Sequence, residues 1–540
     1  MVQSDLSKQR LEFVPNIPKD WEHLDRIEVV EQEAISVDED VRFSFPQTFS
    51  QKPLRFSLGE KKEHDRLRVG VVFSGGQAPG GHNVVVALFE ALKKLHPKSE
   101  LLGFLNGPKG ILADDFKVLD SALLAKYANQ GGFDLLGSGR TKIETKEQFA
   151  KAKETILKHR LNGLVIIGGD DSNTNAAFLA EYFIKEKVSC SVVGVPKTID
   201  GDLKNTHLEV SFGFDTATKV YSELVGNVCF DALSAKKYYF FIKLMGRAAS
   251  HIALECALQT HPNVTLIGEE IANSQKTFWQ IVEDIAKVIC QRADDGKNYG
   301  VILIPEGIVE FIPSFRQLTL ELNRIPLQQF ETSEEKLNAV KKHLSPKALG
   351  DFVRLPETFQ KQLLIDRDPH GNVPVSKIES ERLFIEAVKK ELNYLKHQGR
   401  YRGVFKPQPL FFGYEGRCSL PSNFDCAYCR LLGLEAALLI HAKKTGYLAS
   451  VANLSQPVER WQAHAIPIVS LMHFEERKGK KVPVVKKAHV DLQGAPFHKF
   501  EKHREQWMLS DAYRYPGPIQ FFGPDGLTNA VSETLRLERS

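Results

Sequence analysis

The chain has 540 residues, of which 42% are hydrophobic and 26% charged. At roughly 150 residues per domain this is three or four domains' worth of chain, enough to bury more than one core. The composition excludes collagen, a mostly disordered chain and a disulfide-stapled miniprotein, and a net charge of +4, from 71 Lys+Arg against 67 Asp+Glu, is too small to make nucleic acid the main ligand.

In chain order, residues 1 to about 65 read as an N-terminal extension, polar and broken by Pro15, Pro18, Pro46 and Pro53. From Arg68 the texture changes. Short apolar runs at 69–73, 101–105, 164–167, 191–195, 238–244, 264–267 and 301–304 alternate with helix-length segments such as 83–95, 146–159 and 173–185. That alternation predicts an α/β fold with parallel strands covered on both faces, and the number of runs suits two doubly wound halves. Residues 311–405, rich in Lys, Glu, Gln and Leu, predict a helical insertion. A helix is expected over 423–440, and 475–487 is expected as an exposed charged loop holding Arg477, Lys478, Lys480, Lys481, Lys486 and Lys487.

No apolar run approaches the ~18 residues of a membrane span; the densest, 431–440, contains Glu435. The opening MVQSDLSKQRLEF has no apolar core of the secretory kind, and seven cysteines in a chain of this length suggest a reducing compartment. The expected location is the cytoplasm.

In parallel α/β sheets, ligands sit beyond the carboxyl ends of the strands. After 69–73 comes Ser74-Gly75-Gly76-Gln77-Ala78-Pro79-Gly80-Gly81, which suits either a phosphate cradle at a helix start or merely a tight turn. After 164–167 comes Gly168-Gly169-Asp170-Asp171-Ser172. One acid is enough to cap a helix; two beside a phosphate would repel it unless a hard cation such as Mg²⁺ lay between. After 191–195, Pro196-Lys197-Thr198-Ile199-Asp200-Gly201-Asp202 brings a cation, a hydroxyl and a candidate base into one loop, although Gly201 and Asp202 alone also read as a turn. Met245-Gly246-Arg247, Pro305-Glu306-Gly307 and Gly413-Tyr414-Glu415-Gly416-Arg417 follow further apolar runs. Guanidinium groups suit phosphate and carboxylates suit sugar hydroxyls. Cys426 and Cys429 form a lone CxxC, better read as helix packing than as half a zinc set. The sequence contains neither GxGxxG nor GxxxxGK[ST], so a dinucleotide-binding oxidoreductase has only glycine turns in its favour.

Taken in order, these motifs resemble the phosphofructokinases, and among them the long, pyrophosphate-dependent form, from about Arg68 to about Tyr447. The resemblance implies two Rossmann-like domains of phosphofructokinase type. The first, residues 66–212 with about 418–470, would bind diphosphate and Mg²⁺. The second, 213–417 with the insertion 311–405, would bind fructose 6-phosphate, and 471–540 would be a C-terminal tail. It implies reversible phosphoryl transfer from diphosphate to the 1-hydroxyl of fructose 6-phosphate, a step of glycolysis and gluconeogenesis.

The same resemblance implies roles. Gly75, Gly76, Gly169 and Arg140 would serve the donor, Asp170 would hold Mg²⁺, and Asp200, Lys197 and Asp171 would be catalytic, with Asp200 the base. Asp171 and Lys197 stand where ATP-using relatives of the bacterial type carry glycine. Thr198, Ile199, Asp202, Met245, Gly246, Arg247, Glu306, Tyr414 and Arg417 would bind the sugar phosphate. Lys237 and Tyr238 would reach a neighbouring subunit's substrate, so at least a homodimer with shared active sites is expected. Asp200-Gly201-Asp202 replaces the family's Asp-Asn-Asp, sparing both acids, and Val85 and Phe89 replace effector-binding arginines. The alternatives are an ATP-dependent 6-phosphofructokinase and a regulatory subunit. A regulatory subunit should have lost Asp170, Lys197 or Asp200, and all three are present.

Overall fold

The computed structural model describes residues 4–365, 373, 378–477 and 480–518. Parts of the expected insertion (366–372 and 374–377), Lys478, and residues 519–540 of the expected tail lie outside the described residues. Within them the chain divides into two compact units: 4–217 with 414–488, and 218–413 with 489–518.

The first unit holds a ten-stranded sheet. Its parallel centre runs, in spatial order, through Tyr447–Ala452, Ser191–Thr198, Gly163–Gly168, Arg68–Phe73 and Glu100–Phe104. These strands are apolar along their length because helices cover both faces; every residue of Gly163–Gly168 is buried. Helix Gly81–Leu95 follows the first glycine loop, with Val85 and Phe89 buried in it. Helix Asn423–His441 is buried almost all round, which accounts for the apolar run at 431–440, and Cys426 and Cys429 are free thiols packed inside it. Among the described residues, no helix is long and apolar enough to cross a membrane.

The expected N-terminal extension contributes to the same sheet through residues 27–58. Strands Ile27–Glu31 and Leu54–Leu58 pair antiparallel, and the second joins Gln462–Pro467. Leu54, Phe56 and Leu58 alternate with Arg55 and Ser57, the pattern of a half-buried strand. Val41 and Phe45 enter the core, and the buried Glu181 carboxylate accepts hydrogen bonds from the backbone N–H of Gln47 and Thr48 and from the Thr48 hydroxyl, at 2.8–3.0 Å.

The charged stretch 475–487 corrects an expectation. It is not an open loop: Met472–Arg477 and Lys480–Val485 form an antiparallel hairpin. Met472 opposes Val485 and both are buried, while Glu476 faces Lys481.

The second unit has a four-stranded parallel sheet in the order Val264–Thr265, Gly300–Pro305, Tyr239–Leu244 and Pro407–Phe412. Pro407–Phe412 lies at the sheet's edge, where Pro409 costs no ladder bond on the open side. The expected insertion is helical: Pro313–Asn323, Ser333–His343, Pro346–Arg354, Glu357–Ile365 and Ser380–His397. It belongs to the core of this unit, since Phe315 and Phe384 pack on Phe278 and the buried Glu381 pairs with Lys243 at 3.0 Å. Helix Ala495–Leu509 also belongs here; Asn263 donates to Trp507 O at 3.0 Å.

Candidate active site

In the first unit the glycine loop is fastened at the carboxyl end of Arg68–Phe73. Ser74 bridges to Gly139, and Gly75 N–H donates to Gly139 O at 2.9 Å. Gly75 has φ +89°, which an L side chain adopts only with strain, and a Cβ there would lie 3.3 Å from Lys197 Nζ. A Cβ at Gly76 would lie 3.8 Å from Arg140 Nη2 and 3.8 Å from Arg417 Cζ. Three cations therefore converge on two residues without side chains. The tight-turn explanation accounts for the glycines but not for this cluster, which is built to accept a polyanion.

Arg417 donates to the Gln77 side-chain oxygen, and its guanidinium lies 5.3 Å from the centre of the Tyr414 ring. Its Nε is buried with no hydrogen-bond partner, as is natural for a guanidinium that awaits an anion. Tyr414 is largely exposed. Sequence placed Arg417 with the sugar phosphate; the geometry brings it to the same loop as Arg140 and Lys197.

Asp170 and Asp171 are the first two residues of helix Asp170–Lys185, whose N-cap is Gly169. Neither acid is the cap. The loop is held instead by Asn173, which donates to Gly168 O at 2.7 Å and Gly169 O at 2.9 Å, and by Ser172 Oγ on Ser74 Oγ at 2.8 Å. None of these contacts uses the Asp170 or Asp171 carboxylate, and the helix dipole favours their charge. Asp171 is exposed and pairs with Lys142 at 3.1 Å.

Lys197 is the penultimate residue of the strand Ser191–Thr198, and its buried ammonium donates to Gly76 O at 2.7 Å. Burial pulls its pKa down to about 8, against the opposing pull of Asp200 and Asp170; Arg417 adds to the lowering. Beyond it, Asp200 N–H donates to Thr198 Oγ1 at 3.0 Å, and Thr198 Oγ1 donates to Asp202 Oδ1 at 3.2 Å. Ile199 is buried beneath the loop. Asp202 is committed to holding the turn through Thr198, while Asp200 is half-buried.

Burial raises Asp202 to about 6, helped by the negative charges of Asp200 and Asp170 and resisted by Lys487 and the Thr198 hydrogen bond. The carboxylate oxygens of Asp170, Asp200 and Asp202, which act on one another electrostatically, are hard donors of the kind that Mg²⁺ takes. Among the described residues no three His, Cys, Asp or Glu side chains form a self-contained cage. Mg²⁺ needs none, because it is commonly held by one or two carboxylates together with water and substrate phosphate.

Sequence reasoning missed Lys142 and took Lys487 for loop charge. Lys487 Nζ lies 3.4 Å from Asp170 Oδ2. Burial disfavours its charge, but Asp170 and Asp202 outweigh that and raise its pKa. Nothing in the local sequence around either lysine marks it; only the hairpin and the loop before helix Lys146–Lys158 deliver them.

In the second unit, Met245-Gly246-Arg247 and Glu306 meet at the carboxyl ends of neighbouring parallel strands. Met245 N–H donates to Phe412 O at 3.0 Å, Glu306 N–H to Leu244 O at 2.9 Å and Gly246 N–H to Glu306 Oε2 at 3.2 Å. A Cβ at Gly307 would overlap the Arg247 carbonyl, so glycine is required there. Arg247 is exposed. Lys237 and Tyr238 precede strand Tyr239–Leu244 and so lie at its other end, about 20 Å away along six residues. Lys237 is exposed and its Nζ lies 5.0 Å from the Tyr238 ring centre.

Residues 68–354 match the family described as phosphofructokinase. The chain is 48% identical to the pyrophosphate–fructose 6-phosphate 1-phosphotransferase of Treponema pallidum, over 99% of this chain and 97% of that one. It is 51% identical to the beta subunit of the Solanum tuberosum protein of that name, over 93% of this chain and 88% of that one. Its fold is similar to that of the solved pyrophosphate-dependent phosphofructokinase of Nitrosospira multiformis, with a TM-score of 0.55 and 15% identity over 85% of this chain and 95% of that one. The motifs, the fold and these near full-length identities agree: the chain belongs to the phosphofructokinase family, in its long, pyrophosphate-dependent group.

Proposed function

We propose that the chain catalyses reversible phosphoryl transfer from diphosphate to the 1-hydroxyl of fructose 6-phosphate, giving fructose 1,6-bisphosphate and phosphate. The observation that carries this is the convergence of Lys197, Arg140 and Arg417 on Gly75 and Gly76, in the unit that also carries Asp170 and Asp200. Phosphoryl transfer needs positioning, charge neutralisation and a base for the attacking hydroxyl, and these residues supply each.

The side-chain-free backbones of Gly75, Gly76 and Gly169 line the donor, and Lys197 and Arg140 offset its charge. Asp170 would hold Mg²⁺, which when bound would offset the negative charge of the diphosphate oxygens. As the new O–P bond forms at the sugar's 1-oxygen and the bridging P–O bond of diphosphate breaks, the hydroxyl proton passes to Asp200 and phosphate leaves. Asp171 fills space and adds charge where a nucleotide would need room for a further phosphate, favouring compact diphosphate over ATP. Thr198, Ile199 and Asp202 shape the loop that meets the sugar. Met245, Gly246, Arg247, Glu306, Tyr414 and Arg417 bind fructose 6-phosphate, and Lys237 with Tyr238 serves the substrate of a second copy, making the enzyme a homodimer or higher oligomer.

The enzyme works in the cytoplasm, in keeping with its seven free cysteines. The purified chain with Mg²⁺, diphosphate and fructose 6-phosphate should release phosphate and fructose 1,6-bisphosphate in equal amounts, and EDTA should stop both. Absence of fructose 1,6-bisphosphate under these conditions would overturn the assignment.

A further inference from the structure

The end of the hairpin and the residues after it are held by three backbone hydrogen bonds, two of them to the donor loops. Val485 N–H donates to Thr174 Oγ1 at 2.9 Å, Lys486 N–H to Leu471 O at 2.8 Å, and Ala488 N–H to Asp202 O at 2.7 Å. Thr174 lies one turn into the helix that begins with Asp170, and Asp202 ends the acidic loop. Lys487 is thereby delivered between the two carboxylate loops. Its side chain is 35% exposed, its Nζ is 3.4 Å from Asp170 Oδ2, and Asp202 and Asp171 also act on it electrostatically. A surface ion pair would be worth little. This one sits, two-thirds buried, on the carboxylate committed to the metal, and the transfer step gives Lys487 no task.

An ammonium ion and a divalent cation on one carboxylate repel each other. Bare metal therefore meets an occupied, charge-balanced Asp170, whereas a metal–diphosphate complex brings the negative charge that gives the ammonium a replacement partner. Resting on the diphosphate assignment above, we propose that Lys487 is a positioning residue of the donor site. It holds Asp170 and keeps the resting enzyme from capturing a bare divalent cation, so that the cation enters with diphosphate.

Mn²⁺ binding to the full chain, followed by electron paramagnetic resonance, tests this. Without diphosphate, Lys487→Gln should bind Mn²⁺ roughly tenfold or more tightly than wild type, since one adjacent positive charge is removed from the carboxylates. The same variant should show a raised KM for diphosphate, and Lys487→Arg should restore both values. Equal or weaker bare Mn²⁺ binding by Lys487→Gln would overturn the proposal. Should that variant not fold, the wild type decides: its Mn²⁺ affinity should rise at least roughly tenfold when diphosphate is added, and equal affinity with and without diphosphate would overturn the proposal. The bare-metal titration contains no diphosphate, so it fails or succeeds separately from the product assay that tests the transfer reaction.

Discussion

Lys197 offers the sharpest quantitative test of the donor site. Its ammonium is 6% exposed, bonded to Gly76 O at 2.7 Å, and held at a pKa of about 8 chiefly by burial. It is charged below about pH 8 and loses its proton above, so diphosphate use should fall tenfold per pH unit on the alkaline side of that value. Lys197→Gln removes the charge at every pH. A hydrogen bond to a charged group contributes about 1.5–3 kcal/mol, so kcat/KM for diphosphate should drop roughly 10- to 160-fold. Lys197→Arg keeps a charge that does not titrate in this range and should carry the alkaline limb upward, even if poorer geometry lowers the plateau. The assay is initial rate at saturating fructose 6-phosphate with diphosphate varied, from ~pH 6.5 to ~9.5, bracketing the lysine. Lys197→Gln within roughly threefold of wild type, or an alkaline limb near pH 8 that survives in Lys197→Arg, would refute the reasoning.

Asp200→Asn should lower kcat by roughly 10²–10⁴-fold in both directions with little change in fructose 6-phosphate affinity. Asp202→Asn should be milder in turnover, because that carboxylate serves the loop through Thr198 at 3.2 Å; the reverse ranking in steady-state assays would reassign the base. Asp171→Gly combined with Lys197→Gly should raise ATP use relative to diphosphate use, and an unchanged ratio of the two rates would mean that specificity resides elsewhere. Arg417→Ala should raise KM for fructose 6-phosphate with the melting temperature nearly unchanged; a rise confined to diphosphate would assign this guanidinium, which bonds Gln77, to the donor alone.

Much of this architecture was legible from residues because buried parallel strands leave a strong mark. Runs such as 164–167 and 301–304 fall inside the strands Gly163–Gly168 and Gly300–Pro305, and 173–185 falls inside the helix Asp170–Lys185. The candidate site loops were legible in position for the same reason, since they follow those strands directly. What escaped was set by long-range pairing. Strand Pro407–Phe412 is masked by its prolines and exists because it lies at an edge beside Tyr239–Leu244. The hairpin Met472–Arg477 with Lys480–Val485 hides its apolar face among lysines and glutamates. Lys142 and Lys487 carry no local signal at all; each becomes part of the acidic loops only when a distant backbone brings it there. Sequence order does not disclose that Arg417 lies beside Gln77 of the first glycine loop.

The measurement that bears most directly on the whole assignment is the choice of phosphoryl donor. Initial rates with diphosphate and with ATP, each varied at saturating fructose 6-phosphate and Mg²⁺, should show kcat/KM for diphosphate far above that for ATP. Fructose 1,6-bisphosphate and phosphate should regenerate diphosphate at a comparable rate, since the two phosphoryl donors have similar transfer potential. Turnover with ATP equal to or better than with diphosphate would contradict the roles given to Asp171 and Lys197, and with them the central reading of the site.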